Sequence, residues 1–383
     1  MLTSSYSTYS NSPFASQARQ PRAIVQINGI SVYWTDIEVQ TTTFYVADNY
    51  LVTIPLNNQN PTLNFNYWSS TVEMTVKIWI GFPKNPDSYG TADLELFMVG
   101  VVDLLDIDPL KATVTISGRD LSARLIDTKS SQKYPSYTAS QVAQLLATKH
   151  QLKAQITPTT ELVGVIFANN NVLVTKEITE WDLLTYVAQQ SGFVVFLRND
   201  TLVFEPYPKQ DANSAFIIQY QAPSATNASP QFNGMDIKFR RSLTLARDVK
   251  VLVKVPFNPL SGKAFTVTAQ ATRRTRPYLH NVPSFVGAPQ TYTFIRPGLT
   301  REQAQNTANQ LLSNITLHEV IIDVTMPGDI TLRKDSIIQV RGTGTSFDQF
   351  YYADVTYRRL NYREGFMQQL QGKNHSVDTE VNL

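Results

Sequence analysis

The residues best able to do chemistry in this chain are few, and each lacks a partner that the chemistry needs. His318-Glu319 opens like the helical zinc motif in which two histidines on successive turns hold the metal and the glutamate activates water, but the position of the second histidine is Ile322. The pair reads instead as a polar turn between a helix and a strand, and His150, His280 and His375 stand in unrelated contexts. Gly342-Thr343-Gly344-Thr345-Ser346 has the glycine and hydroxyl content of a phosphate-cradling loop, yet it lacks the lysine that reaches the phosphates and does not open a helix. A hairpin loop is expected there. Asp103, Asp106 and Asp108 lie close together in Val102-Asp103-Leu104-Leu105-Asp106-Ile107-Asp108-Pro109. Carboxylate pairs serve glycosidases as acid and base, but aspartates at strand ends and before proline are ordinary turn residues, which is the reading preferred. Cysteine is absent, which removes disulfides, thiolate metal sites and thiol nucleophiles together. No catalytic, metal or cofactor site is expected, and the chain reads as a non-enzyme.

One basic cluster stands out, Thr272-Arg273-Arg274-Thr275-Arg276-Pro277. Arg273, Arg274 and Arg276 are expected on a loop that is solvated, touches the phosphates of passing DNA, or meets carboxylates of a neighbouring subunit. They are candidates for an interface or channel surface. The formal net charge of +2 gives a field too weak to gather nucleic acid by counterion release, so sequence-specific DNA binding is not expected.

Mainly β elements must position these residues. Ile24, Ile27, Ile30 and Val32 open an apolar–polar alternation, Val39 to Val46 is rich in threonine and aromatics, and Val72, Met74, Val76, Ile78 and Ile80 share one face. Leu94 to Val102 and Ala112 to Ser117 continue the series, with turn signals at Gly81-Phe82-Pro83 and Tyr89-Gly90. The period then changes. Thr138, Thr179 and Thr300 are followed three residues later by Gln141, Asp182 and Gln303, the spacing at which side chains satisfy the free N–H groups of a helix start. Each precedes one apolar stripe, so three amphipathic helices are expected. Strands return at Phe193 to Phe204, with Asn199-Asp200 as a tight hairpin turn, and at Val249 to Val255, where alternate valines share a face. Phe265 to Thr272, Ile321 to Met326, Ile337 to Val340 and Phe350 to Tyr357 complete the set.

At 383 residues the chain exceeds the size at which one core usually stops growing, so two or more packed units are expected. Charged residues make up 17%, below the roughly 25% of ordinary soluble chains, which fits a surface covered by partners or a β-protein faced with Thr, Ser, Asn and Gln. Ala222 to Pro230 is the best linker. Residues 1–21 carry no basic start with an apolar run behind it, so they read as a flexible arm rather than a signal peptide. No stretch approaches the roughly 18–20 apolar residues of a membrane span. A soluble protein made in a cytoplasm is expected.

Several segments together resemble the late-control D family of phage baseplate hub proteins, relatives of the hub half of type VI secretion spike proteins. They are Ile116-Ser117-Gly118-Arg119-Asp120-Leu121-Ser122-Ala123-Arg124-Leu125-Ile126-Asp127; Glu180-Trp181-Asp182-Leu183-Leu184 with Ser191-Gly192-Phe193 and Thr201-Leu202-Val203-Phe204; and Met326-Pro327-Gly328-Asp329 with Val340-Arg341-Gly342-Thr343-Gly344 and Tyr351-Tyr352-Ala353-Asp354. The resemblance spans about residues 20 to 375. It implies an α+β, mainly β chain with two tail-tube-like β-barrel lobes and a small helical α+β segment between them. The divisions expected are an arm at 1–21, a first barrel at 22–118, the helical segment at 119–234, a second barrel at 235–372 and a tail at 373–383. It further implies a homotrimeric adaptor in the virion tail, joining a hexameric tail tube protein to a trimeric spike and lining the DNA channel, with tape measure and baseplate wedge proteins as further neighbours. Because the sequence stops shortly after Gly372, the spike is expected to be a separate protein. A receptor- or carbohydrate-binding tail module, using loops such as Asn57-Asn58-Gln59-Asn60, is the alternative.

Overall fold

A computed structural model of the chain describes residues 20–57, 59–130, 134, 137–160, 178–208, 215–224, 228–242, 249–258, 261–270, 290–316 and 320–374. The first β group contains β1 (Arg22–Ile27), β2 (Ile30–Val32), β3 (Asp36–Thr42), β4 (Asn49–Pro55), helix α1 (Phe65–Ser70), β5 (Thr75–Gly81), β6 (Glu95–Asp108) and β7 (Thr113–Asp120). Asn28 and Gly29 both take positive φ, 48° and 82°, which is what the two-residue turn between β1 and β2 requires. Alternation sends Val25, Ile27, Val39, Val52, Ile54, Val76, Ile78 and Ile116 into one core, closed by Trp68 of α1. Strand β6 does not stop near Val102, where the alternation fades. It runs on to Asp108, so Asp103 lies within a strand rather than at its end.

The helical segment contains α2 (Ala123–Ile126), β8 (Lys129–Ser130), α3 (Ala139–Lys149), β9 (Lys153–Ile156), β10 (Ile178–Thr179), α4 (Glu180–Gln190), β11 (Phe193–Arg198) and β12 (Thr201–Pro206). The expected caps are present: Gln141 N donates to Thr138 Oγ1 at 3.3 Å while Gln141 Oε1 accepts from Thr138 N at 2.9 Å, and Asp182 N donates to Thr179 Oγ1 at 3.0 Å. Asn199, with φ of 56°, turns β11 back onto β12. Val142, Leu146, Leu184, Ala188, Leu202 and Phe204 form the core of this segment.

The remaining elements are β13 (Phe216–Gln221), β14 (Gln231–Phe232), β15 (Asp236–Arg241), β16 (Val249–Val255), β17 (Phe265–Gln270), β18 (Gln290–Ile295), α5 (Arg301–Thr316), β19 (Val320–Pro327), β20 (Ile337–Arg341), β21 (Phe350–Asn361) and β22 (Gly365–Asn374). Strands β13 and β14, on either side of the 222–230 stretch, pair antiparallel, and β13 also pairs with β20, so the second β group is already under way at Phe216. Strands β16, β17 and β18 form a separate three-stranded sheet, and Val251, Val253 and Val255 pack on Ala304, Ala308 and Leu311 of α5. The clean valine alternation therefore belongs to a unit inserted between β15 and β19, with its own core.

Without that insertion the two β groups share one strand order. The first runs β2-β1-β5-β6-β7-β4-β3 and the second β14-β13-β20-β21-β22-β19-β15, so in each the strands follow the chain order 2-1-5-6-7-4-3. Pairings within both are antiparallel except β13 with β20, which is parallel where β1 with β5 is antiparallel. Antiparallel pairing of β3 with β21, from Asp36↔Asn361 to Thr42↔Val355, merges the groups into one 14-stranded sheet. Among the described residues no pairing closes either group into a ring; the fold is mainly β, with the small helical segment beside it.

Candidate functional site

The likeness of the two groups extends to side chains. In β6 the register shifts where Val102 faces Gly118 and Leu104 faces Ser117, leaving Asp103 as the extra residue of a bulge. In β21 Ala353 faces Gly372 and Val355 faces Gln371, leaving Asp354 as the extra residue. Each bulged aspartate pairs with the residue after the facing glycine: Asp103 with Arg119 Nε at 2.7 Å and Asp354 with Lys373 Nζ at 2.8 Å. One residue further on, Asp120 Oδ2 accepts from Asp48 N at 3.2 Å, and Asn374 Oδ1 accepts from Val320 N at 3.1 Å. Asp48 and Val320 are matching positions at the start of the fourth strand of each group. The glycines are required by closeness: a Cβ on Gly118 would lie 1.9 Å from Val101 O, and one on Gly372 would lie 2.9 Å from Ile322 Cγ2. Gly-Arg-Asp and Gly-Lys-Asn are thus one device used twice.

The seam where the groups meet is held by buried charge. Arg358, in β21, is 2% exposed. Its Nε donates to Gln368 Oε1 at 2.8 Å and to Asp329 O at 3.3 Å, Nη1 donates to Thr41 Oγ1 of β3 at 3.3 Å, and Nη2 donates to Leu332 O. The guanidinium lies 4.9 Å from the centre of the Phe97 ring. Burial lowers its pKa to about 10, against the pull of Asp329, Asp48 and Glu95, so it remains charged at neutral pH. Beside it, Lys334 Nζ lies 2.8 Å from Asp48 Oδ2, an ion pair without hydrogen-bond alignment, and 5.5 Å from the centre of the Phe196 ring. Asp120 completes the group. Ser122 N and Oγ donate to its Oδ1, while burial and then the charge of Asp48 raise its carboxyl to about 6, partly offset by Lys334. Glu95 with Arg333, and Arg198 with Asp335 at 2.6 Å, tie loop 328–336 to the first group and to the helical segment.

This arrangement joins the two groups through paired buried charges. The cavity among Asp48, Asp120, Arg198, Lys334 and Arg358 measures about 80 Å³, far below the ~300 Å³ at which small-molecule sites begin. Its polar groups are spent on one another. The helical segment is anchored similarly: Glu180, buried at the start of α4, accepts from Lys149 Nζ and pairs with His150 Nε2, both at 2.5 Å, at the end of α3. The sequence shows no sign of this pairing because its members lie thirty residues apart.

The other sequence candidates are placed as follows. Asp108 accepts from Leu110 N and Lys111 N, a turn role as expected. Thr343 N and Gly344 N donate to Asp348, so the glycine-rich loop is a hairpin loop whose donors are taken by its own carboxylate. Arg273, Arg274 and Arg276 fall in the connection between β17 and β18, outside the described residues; His280, His318 and His375 also lie outside the described residues. Among the described residues no group of three or more His, Cys, Asp or Glu is placed to hold a metal ion, and no helix is long and apolar enough to cross a membrane.

No protein-family model and no curated protein matches the chain. Solved structures do. The tail protein from Neisseria meningitidis MC58 is 15% identical, with a TM-score of 0.62 over 94% of this chain and 98% of that one. The 43 kDa tail protein of prophage MuSo2 from Shewanella oneidensis is 16% identical, with a TM-score of 0.58 over 92% of this chain and 98% of that one. A chain of the Francisella PdpA–VgrG complex is 11% identical, with a TM-score of 0.51 over 95% of this chain but 59% of that one. The chain therefore has a fold shared with phage tail proteins and with a VgrG-containing complex. These neighbours agree with the resemblance to baseplate hub proteins read from the sequence.

Proposed function

We propose that the chain is a structural hub of a phage-type tail baseplate: a homotrimer that joins a sixfold tail tube protein to a threefold central spike and surrounds the DNA channel. The repeated strand order carries this reading. A sixfold tube offers six equivalent surfaces, and a threefold assembly matches them only if each subunit presents two similar ones. Two strand groups with the same order, bulged at the same place and joined through a shared strand pairing, would supply that pair. The near-complete overlap with tail proteins supports the same setting, the virion tail. Arg273, Arg274 and Arg276 belong to a subunit or channel surface in this reading, without sequence-specific DNA contact. Tape measure and wedge proteins are further neighbours. The protein acts by holding shape, not by catalysis. Native mass spectrometry of the purified chain tests this: a species of three times the 43.1 kDa chain mass supports it, and a species that stays monomeric or dimeric at high concentration overturns it.

A further inference from the structure

The internal joint has a counterpart that the single chain leaves open. Strand β3 is the outermost strand of the first group, and it pairs with the part of β21 that follows the Asp354 bulge. By the shared strand order, the equivalent of β3 is β15, and the equivalent of that part of β21 is Leu104 to Asp108 of β6, after the Asp103 bulge. Among the described residues β15 pairs with β19 alone, and this part of β6 pairs with β7 alone. Both edges carry exposed apolar side chains, Leu104 and Leu110 at 56% and 97% on one and Met235 at 64% beside the other. Unpaired strand edges of this kind are normally protected or used.

We infer that β15 of one copy pairs antiparallel with residues 104–108 of β6 in the next copy, repeating between chains the joint that β3 and β21 make within one. The occupant is a second copy of this chain, because the charges match. Carrying the register of the internal joint across the equivalent positions sets Arg240 against Asp106, Phe239 against Ile107 and Lys238 against Asp108. Lys238 and Arg240 are exposed on one face of β15, while Ile237 and Phe239 pack toward the core of the second group; on β6, Leu105 and Ile107 pack toward the core of the first. Cationic strand meets anionic strand on the outer face, and apolar side chains meet on the inner one. Among the described residues these charges pair with side chains of their own or the adjoining strand or turn, Lys238 with Asp236, Arg240 with Asp323 and Asp108 with Lys111.

The polarity also sorts the joints. Within the chain β3 brings the acid, Glu38, and β21 the base, Arg359, 3.3 Å apart; between chains β15 brings the bases and β6 the acids. Pairing β15 with another copy's β21 would set Lys238 against Arg359, and pairing β3 with another copy's β6 would set Glu38 against Asp108. Both wrong joints place like charges opposite each other. First and second groups must therefore alternate around the ring. The joint rests on the trimeric-hub reading only for the number of copies that close it.

Because the chain has no cysteine, the joint is testable by directed cross-linking. Facing residues of paired strands have Cα atoms about 4.5–5.5 Å apart, within reach of a disulfide. Asp106→Cys with Arg240→Cys in one chain, oxidised, is expected to run as a covalent trimer on a denaturing gel. A mixture of the two single variants, refolded together, is expected to give a covalent dimer, whereas each single variant alone stays monomeric on the gel. Charge exchange is the second arm: Asp106→Arg or Arg240→Asp weakens the native trimer at least tenfold, and the two together restore it. A chain that is trimeric by native mass but neither cross-links nor responds to the exchange overturns the joint and leaves the hub reading standing. A chain that is monomeric throughout overturns both.

Discussion

Replacing Arg358 tests whether the seam between the β groups is held by its buried charge. Arg358→Ala takes one donor from Gln368 Oε1, which retains Asp329 N at 3.4 Å, and removes the guanidinium from Thr41 Oγ1 and the carbonyls of Leu332 and Asp329, in surroundings where Gln368 and Leu332 are themselves buried. Charge-assisted hydrogen bonds contribute about 1.5–3 kcal/mol each and do not add. Against them stands the cost of burying the ion, visible in a pKa that burial lowers to about 10. Breaking a buried charged cluster from one side costs about 3–5 kcal/mol, because its partners stay behind unpaired. Arg358→Met fills the space and avoids the cavity, as Ile107 does at the matching position of β6, and is expected to cost about 1–3 kcal/mol, mainly for the orphaned acceptors. Hydrogen exchange read by mass spectrometry over peptides 36–42 and 350–361 reports the seam locally. Exchange there is expected to speed up roughly a hundredfold to a few thousandfold in Arg358→Ala, and clearly less in Arg358→Met. Protection of these peptides within tenfold of the parent protein in Arg358→Ala, or a larger loss in the methionine variant, would refute the assignment.

Other outcomes follow from the same geometry. With Asp120 raised from 3.8 to about 6, the folded state holds its proton more tightly than the unfolded state does. That contribution is therefore fully present below about pH 4 and is lost as pH rises through about 6. Asp120→Asn, which copies Asn374, should flatten that part of the slope in melts taken from pH 4 to 7; an unchanged slope contradicts it. Gly118→Ala should lower the melting temperature more than Gly372→Ala, since a Cβ there would lie 1.9 Å from the backbone oxygen of Val101, whereas at Gly372 the nearest atoms are Ile322 Cγ2 at 2.9 Å and Tyr351 Cβ at 3.3 Å. The reverse ranking in paired melts would contradict the closer backbone approach at Gly118. Thr138→Ala removes a capping box and should cost about 1 kcal/mol, read as faster exchange in α3 with β1–β7 unaffected.

What the sequence discloses is what is local. Thr138, Thr179 and Thr300 mark helix starts because a cap and its partner lie three residues apart, and Asn199 marks a turn because its own backbone must take positive φ. The pairing of β3 with β21 joins residues more than three hundred positions apart, and no local pattern announces it. The repeat is hidden for a related reason. It survives as Gly118-Arg119-Asp120 and Gly372-Lys373-Asn374, and as bulged Asp103 and Asp354, while the core positions between have drifted and an inserted unit separates β15 from β19. The reach of β6 through Asp103 was missed because a bulge breaks the period of two on which the strand was recognised. The buried seam charges were missed because Arg358 and Asp120 look like any surface arginine and aspartate until the fold encloses them.

In the proposed hub one chain offers two equivalent surfaces and three chains offer six. Electron-microscope images of the purified protein viewed down its symmetry axis test it most directly. A closed threefold particle with six similar densities, alternating between the two β groups, around an open channel is expected. A twofold particle, or a threefold one with only three densities around the opening, would contradict it.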